Sequence, residues 1–365
     1  MDIKIISVNY IDRKTILFCI LILILMLSKS YESYSQGSRK VTSEKYQNYI
    51  DSLKTMDYKQ LFPIWGNGAY KKGFDIPYPY GAMVNFYMQE ADISITNLEV
   101  GFITPNREIG PIPLDSIVVF DVSNSKSFAT SFRPDIWLFP FLNVYGLFSV
   151  GKNSTSIKLA QPVPIEAVTD FNATGYGFGF LVAGGFGPGW ITMDNNWIWT
   201  HIPALKDPVK VQNMSFRFGV TKQNERNPER NYAVWVGAFR QKIASETKGS
   251  ISVNELFPDV DDALADRIEN GWDEYLDGKN CGGAIEHPAC KLDPLVQDIV
   301  DKLRTNEPIS QTEIFYSMDK SPVKEWNLIV GGQYQFNKKW QLRSEVGFLG
   351  TRTQFLLSMN YRFIL

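Results

Sequence analysis

The chain has 365 residues, of which 44% are hydrophobic, 14% aromatic and 21% charged, with a formal net charge of −2. That content is too apolar for intrinsic disorder, and the near-neutral charge excludes a global field that would draw the protein to nucleic acid or anionic lipid. The aromatic excess, 24 Phe, 17 Tyr and 9 Trp beside 27 Gly and 19 Pro, points to a β-rich chain, since large aromatics suit half-buried strands and Gly and Pro suit turns.

At the N-terminus Arg13 and Lys14 precede an apolar run over 16–27, and polar Ser28-Lys29-Ser30 follows. About a dozen apolar residues span only ~18 Å as a helix, short of the ~30 Å hydrocarbon core. Residues 1–36 therefore read as a signal peptide cut near Ser35-Gln36-Gly37, the competing reading being an uncleaved inner-membrane anchor. Cys19 lies inside the apolar run, with more apolar residues after it, which argues against a lipoprotein cleavage site. Its removal leaves Cys281 and Cys290, an even pair that an oxidising periplasm would join as a disulfide.

Residues 37–79 read as a periplasmic helix and linker. Thr42 or Ser43 can cap a helix with Tyr46, Tyr49, Ile50, Leu53 and Met56 on one face. Such a helix either packs on the base of the following domain or enters it as a plug; the base rate of surface amphipathic helices favours the first.

From residue 80 the period becomes two. Ala82, Val84, Phe86 and Met88 share one face of the first strand, and 91–125 has room for another pair. Phe132, Ile136 and Leu138 alternate with Arg133, Asp135 and Trp137, then Pro140-Phe141 turns the chain into Leu142, Val144 and Phe148. A weaker strand is expected near 156–163. Tyr176, Phe178, Phe180 and Val182 alternate with Gly175, Gly177 and Gly179, and glycine in a strand marks curvature or close backbone approach. Ile191, Met193, Trp197 and Trp199 alternate with Thr192, Asp194 and Asn196, and 213–220 pairs with 232–240 around a charged turn at 223–227.

Residues 244–308 switch to helical spacing. Val260, Leu264, Ile268, Trp272 and Leu276 share a face, and Asp293-Pro294 opens a second helix striped by Leu295, Val296, Ile299, Val300 and Leu303. Cys281 and Cys290 sit between the two helices, where a disulfide would close a short loop. The first helix carries Asp259, Asp261, Asp262, Asp266, Glu269, Asp273 and Glu274 without the spacing of a calcium loop. A solvated face is the simple reading, and a partner-binding surface the functional one.

Three alternating segments end the chain. Trp326, Leu328, Val330, Tyr334 and Phe336 face away from Asn327, Gln333 and Gln335; Trp340, Leu342, Val346 and Phe348 away from Gln341, Arg343 and Glu345. Phe355, Leu357, Met359, Tyr361, Phe363 and Leu365 alternate with Gln354, Ser358, Asn360 and Arg362, and the turns are Asn337-Lys338-Lys339 and Gly350-Thr351-Arg352. A soluble sandwich would hide its apolar faces and put charge outside. Here charge gathers on one phase and aromatics near the ends of the other, as in a membrane barrel.

The expected fold is therefore all-β: a transmembrane antiparallel up-and-down β-barrel of about twelve strands over 80–365, interrupted by the helical insertion 244–308. Arg133, Asp135, Asp194, Arg217, Arg343, Glu345 and Arg362 fall on the polar phase and are expected to line the lumen. They would form either a mutually neutralising network or a constriction that selects solutes. If both chain ends are periplasmic, strand counting puts the Pro140 turn, the Asn337 turn and the 244–308 insertion on that side too. The two histidines, His201 and His287, stand in no recognisable nucleophile or metal pattern, so no catalytic residue, metal or cofactor is assigned.

The export segment, the alternation and the final strand together resemble Gram-negative outer-membrane β-barrel proteins, in a Bacteroidetes-like form given the Ser-Gln-Gly junction. The last strand is similar to the insertion signal of such barrels, carried here by Phe355, Met359, Tyr361, Phe363 and Leu365, with Leu365 where the family usually ends in Phe. The resemblance implies an outer-membrane location, contact with outer-membrane lipid and the barrel-assembly machinery, and no cofactor. The leading functional expectation is a narrow channel or transporter for small solutes. The alternatives are a structural or docking barrel whose insertion 244–308 holds a periplasmic partner, and a lipid-modifying enzyme.

Overall fold

The computed structural model describes residues 44–365, apart from 105–106, 116, 163–164, 187, 204, 206, 225–226, 228, 244–245, 253–261, 283–286 and 306–312. The signal-peptide reading of 1–36 and the caps Thr42 and Ser43 lie outside the described residues. Two helices lead, α1 (Glu44–Thr55) and α2 (Gly66–Lys71). The next strands are β1 (Tyr80–Thr104), β2 (Arg107–Pro113), β3 (Val119–Phe120), β4 (Ser123–Phe139), β5 (Leu142–Gln161) and β6 (Ile165–Phe186). They are followed by β7 (Gly189–His201), β8 (Val209–Gln223), β9 (Asn231–Ile243) and β10 (Glu246–Ser252). Helices α3 (Asp262–Leu276) and α4 (Asp293–Thr305) precede β11 (Glu313–Pro322), β12 (Trp326–Gln335), β13 (Trp340–Phe348) and β14 (Arg352–Phe363).

Antiparallel pairing runs β1–β4–β5–β6–β7–β8–β9–β12–β13–β14 and returns to β1, so ten strands close a barrel rather than the twelve or so expected. The difference has a local cause. The two strands expected at 142–148 and near 156–163 are one, because 142–161 forms β5, which is 20 residues long, about twice what crosses a bilayer. Counting one strand as two also inverts the side on which β9 ends. The insertion 244–308 accordingly leaves from the top of β9, at the end opposite the 139–142 and 335–340 turns, and not beside them as expected.

Closure sets the bore. Following paired residues from Ala183 through Thr192, Arg217, Gly237, Ile329, Gly347, Gln354, Gln89, Ser127 and Asn153 returns to β6 at Phe171, twelve residues displaced. Ten strands with that stagger tilt by roughly 40° and leave a backbone radius of roughly 10 Å. Side chains from opposite walls can meet across such a bore.

The two phases sort cleanly. Phe86, Phe132, Phe148, Phe178, Phe218 and Met359 are exposed on the outside, while Asn143, Asp194, Arg217, Glu345 and Arg362 are buried inside. Near the base, the end that carries the 139–142 turn, outward rings meet as stacked Tyr80–Phe363, tilted Trp340–Tyr361 and edge-to-face Tyr334–Phe336. Towards the crown, Tyr176 stacks on Trp199 and Phe216 on Trp326. Phe355, Met359, Tyr361 and Phe363 share the outward face of β14, and Leu365 follows the strand, exposed.

Above Ile93, β1 leaves the barrel and pairs with β2 and β11, and β11 with β10. These three outer strands and α3–α4 form a head on the crown. Ile95, Leu98 and Met318 make one apolar cluster, and Ile117, Trp272, Ala289 and Leu292 another, with Leu114 touching both. Trp272 Nε1 donates to Asp293 Oδ1 at 2.9 Å, tying α3 to the start of α4. The Cys281–Cys290 disulfide lies between them with its Cα atoms 5.3 Å apart. Val260, read from sequence as part of the first helix, lies outside the described residues.

At the base, 44–79 packs beneath the strands. Ile64 N–H donates to Leu138 O at 2.8 Å, and the Trp65 ring lies 4.9 Å from that of Phe139. Leu53 of α1 is buried. Lys338, in the β12–β13 turn, donates to Asp75 Oδ1 at 3.2 Å, and the Tyr49 hydroxyl donates to Asp75 Oδ2 at 3.0 Å. Burial disfavours the Lys338 charge, but Asp75 and Tyr49 outweigh it and hold the ammonium above the ordinary lysine range. Lys338→Ala is expected to cost about 1 kcal/mol. Limited proteolysis should then cut 44–79 sooner, with the heat-modifiable mobility of the folded barrel unchanged.

Candidate functional site

The inward phase of the strands converges on three charge clusters. Arg217 on β8 meets Glu345 on β13 in a two-pronged pair, Nε to Oε2 at 2.7 Å and Nη2 to Oε1 at 3.1 Å. Strands β9 and β12 lie between these partners, so the pair crosses the lumen. Trp235 Nε1 donates to the same Oε2 at 2.8 Å. Arg343 comes within 3.6 Å of that oxygen and lies 4.7 Å from the Trp235 ring centroid.

The second cluster joins β4 to β7 across β5 and β6. Arg133 Nη1 reaches Asp194 Oδ2 at 3.4 Å, and its guanidinium lies 3.5 Å from the Tyr145 ring centroid. The Tyr145 hydroxyl donates to Asp194 Oδ1 and accepts from Asn196 Nδ2 at 3.2 Å. Gly179 makes this possible, because a Cβ there would stand 2.6 Å from the Tyr145 hydroxyl. Gly179 is thus a recess for a ring on β5, the close approach that strand glycines mark.

The third cluster lies towards the base. Arg362 Nη2 and Asn143 Nδ2 both donate to Asp135 Oδ1 at 2.6 Å, and Arg362 Nε donates to Tyr78 O at 3.0 Å. All seven charged residues singled out in the sequence therefore point inward and are drawn into these clusters. Such pairs hold in a low-dielectric interior only when hydrogen bonds meet their remaining valences. Here Trp235, Asn143, Tyr145 and Asn196 meet part of them, while Nε of Arg133 and Nε of Arg343 stay without a partner.

A second polar layer spans the lumen nearer the crown. Gln241 on β9 accepts from Arg352 Nη1 at 3.0 Å and from Gln89 Nε2 at 3.4 Å, while the Tyr87 hydroxyl lies 3.4 Å from Gln354 Oε1. Between the layers is a cavity of about 280 Å³. Arg133, Asp194, Arg217, Arg343 and Glu345 form its charged part. Leu147, Ile198, Leu356 and Phe239 supply apolar wall.

Sequence reasoning missed Tyr145, Trp235 and Arg352. Tyr145 and Trp235 were assigned to neither face, although both sit in the polar phase of their strands. Arg352 was placed in a turn. His201 ends β7, and His287 Nδ1 accepts from Ala289 N–H at 3.2 Å in a local cap. Among the described residues no group of His, Cys, Asp and Glu has the spacing to hold a metal.

No family model and no curated protein matches this sequence. Among solved structures, the β-domain of the Bordetella autotransporter BrkA aligns with 78% of this chain and 100% of its own, at 7% identity and a TM-score of 0.35. The outer membrane protein OprG from Pseudomonas aeruginosa aligns with 79% of this chain and 100% of its own, at 8% identity and a TM-score of 0.32. The toluene transporter TodX from P. putida covers 79% of this chain and 91% of its own, at 8% identity and a TM-score of 0.22. At these scores no residue role passes from those proteins to this chain.

Proposed function

We propose that this protein is an outer-membrane barrel that admits small polar solutes into a closed chamber, a transit barrel gated by its own ion pairs. The location rests on the inverted sorting of side chains, apolar outside and charged inside. A water-soluble protein does not expose aromatic and aliphatic side chains on almost every barrel strand, whereas a lipid-facing belt requires them. Short turns join the strands at the base and long excursions leave from the crown. Since periplasmic turns are characteristically short, the base is the periplasmic end and the head faces outward. A partner of 244–308 would then meet it outside the cell, which replaces the periplasmic partner expected from sequence.

The observation that carries the gating is the pair Arg217–Glu345, which bridges strands separated by two others. With Arg133–Asp194 it sets two side-chain bridges across a barrel of this radius. Refolded protein in planar bilayers is expected to show no sustained conductance steps. The double variant Arg217→Ala/Glu345→Ala, which removes both halves of one bridge, is expected to show them. Large steady steps in the parent protein would make it an open pore, and silence in both proteins would defeat the gating.

The head supports a second reading, docking. Strands β10 and β11 lie outside the closed register, so deletion of 246–322 leaves all ten barrel strands and a short β9–β12 turn. A photo-crosslinker at exposed Asp273 on intact cells tests this. One adduct of constant mass supports docking, and lipid adducts alone count against it.

A further inference from the structure

We infer that the chamber is a binding site for a small organic carboxylate; this rests on the closed-chamber reading above and names its ligand class. On the inward phase of the ten strands, five arginines face three carboxylates. Asp135 is taken by Arg362, Asp194 by Arg133 and Glu345 by Arg217. Arg343 and Arg352 are left without a carboxylate of their own. Arg352 is answered by the Gln241 side chain and by the carbonyl of Glu325 at 3.1 Å.

Arg343 is answered only by a shared, longer ion pair and by the face of the Trp235 ring. Its nearest carboxylate oxygen, Glu345 Oε2 at 3.6 Å, already accepts from Arg217 and Trp235. Its Nε is buried without a hydrogen-bond partner, as is Nε of Arg133 on the same cavity. A lysine could shed its proton in such a place, but a guanidinium does not. A buried cation of this kind is completed by an anion, and a planar fork of N–H donors matches a carboxylate best.

The walls say what the rest of the ligand is. Leu147, Ile198, Leu356 and Phe239 face the same space, and the Trp235 ring lies beside the Arg343 guanidinium. Inorganic phosphate would leave that apolar lining uncovered, whereas an organic acid covers it. The volume, about 280 Å³, falls at the small end of ligand sites.

The test is calorimetric titration of the whole barrel in detergent with benzoate, its neutral isostere benzamide, and inorganic phosphate. Benzoate is expected to bind at least about tenfold more tightly than benzamide, and Arg343→Gln to erase that preference. Leu356→Trp fills the chamber without altering its charge, and is expected to abolish benzoate binding while the folded mobility persists; it decides the matter should Arg343→Gln fail to fold. Equal binding of benzoate and benzamide would overturn the carboxylate inference yet leave the chamber standing. Phosphate binding as tightly as benzoate would overturn the organic part. Binding of no probe would overturn both this inference and the solute chamber beneath it.

Discussion

Glu345→Ala is expected to destabilise the folded barrel by about 3–5 kcal/mol, the cost of removing one partner from a buried ion pair. The Glu345 side chain is 2% exposed and that of Arg217 7%, so solvent cannot replace what is lost. The substitution strands the Arg217 guanidinium and leaves Trp235 Nε1 without its acceptor. It also removes the carboxylate closest to Arg343. The measurement is the urea midpoint of refolding in detergent micelles, read by heat-modifiable mobility. Arg217→Met/Glu345→Leu should recover most of the loss, since apolar replacement of a whole buried pair is often neutral or favourable. A Glu345→Ala protein as stable as its parent would mean that water reaches the pair and that the lumen is not closed.

The second large effect concerns the outside. Phe178→Arg is expected to cost about 2–4 kcal/mol and Phe186→Arg about 0–1 kcal/mol, because the penalty for charge on a lipid face depends on depth. The two rings are almost equally exposed, 54% and 55%, so accessibility alone foresees equal costs. Their positions differ. Phe178 pairs with Gly146 and Trp197 in the middle of the barrel wall, while Phe186 pairs with Gly189 at the β6–β7 turn. Unfolding titrations in lipid vesicles separate the cases. Equal costs at the two sites would remove the bilayer from the explanation of the outward belt.

Much of this architecture is legible along the chain, and the parts that are not share a cause. Period-two alternation assigns each residue to a face, which is why Arg133, Asp194, Arg217, Arg343 and Glu345 could be named as one inward set. The same alternation continues unchanged along a strand of any length, so it could not show that 142–161 is a single strand. The side on which 244–308 emerges was lost with that count. Tyr145 and Trp235 sat in the inward phase from the start. The sequence offered no reason to single them out, and only Gly179 and the Glu345 acceptor reveal why rings stand inside.

By itself, then, the sequence determined the all-β class, the sorting of polar from apolar faces, the helical character of the insertion and the inward set of charges. Each of these depends on neighbours a few residues apart. Only the tertiary structure decided that ten strands close with a stagger of twelve, that the head stands opposite the base, and that Arg217 finds Glu345 rather than another carboxylate. Closure is a condition on the whole ring. The stagger that satisfies it determines which side chains on non-adjacent strands share a level, and no local period records that.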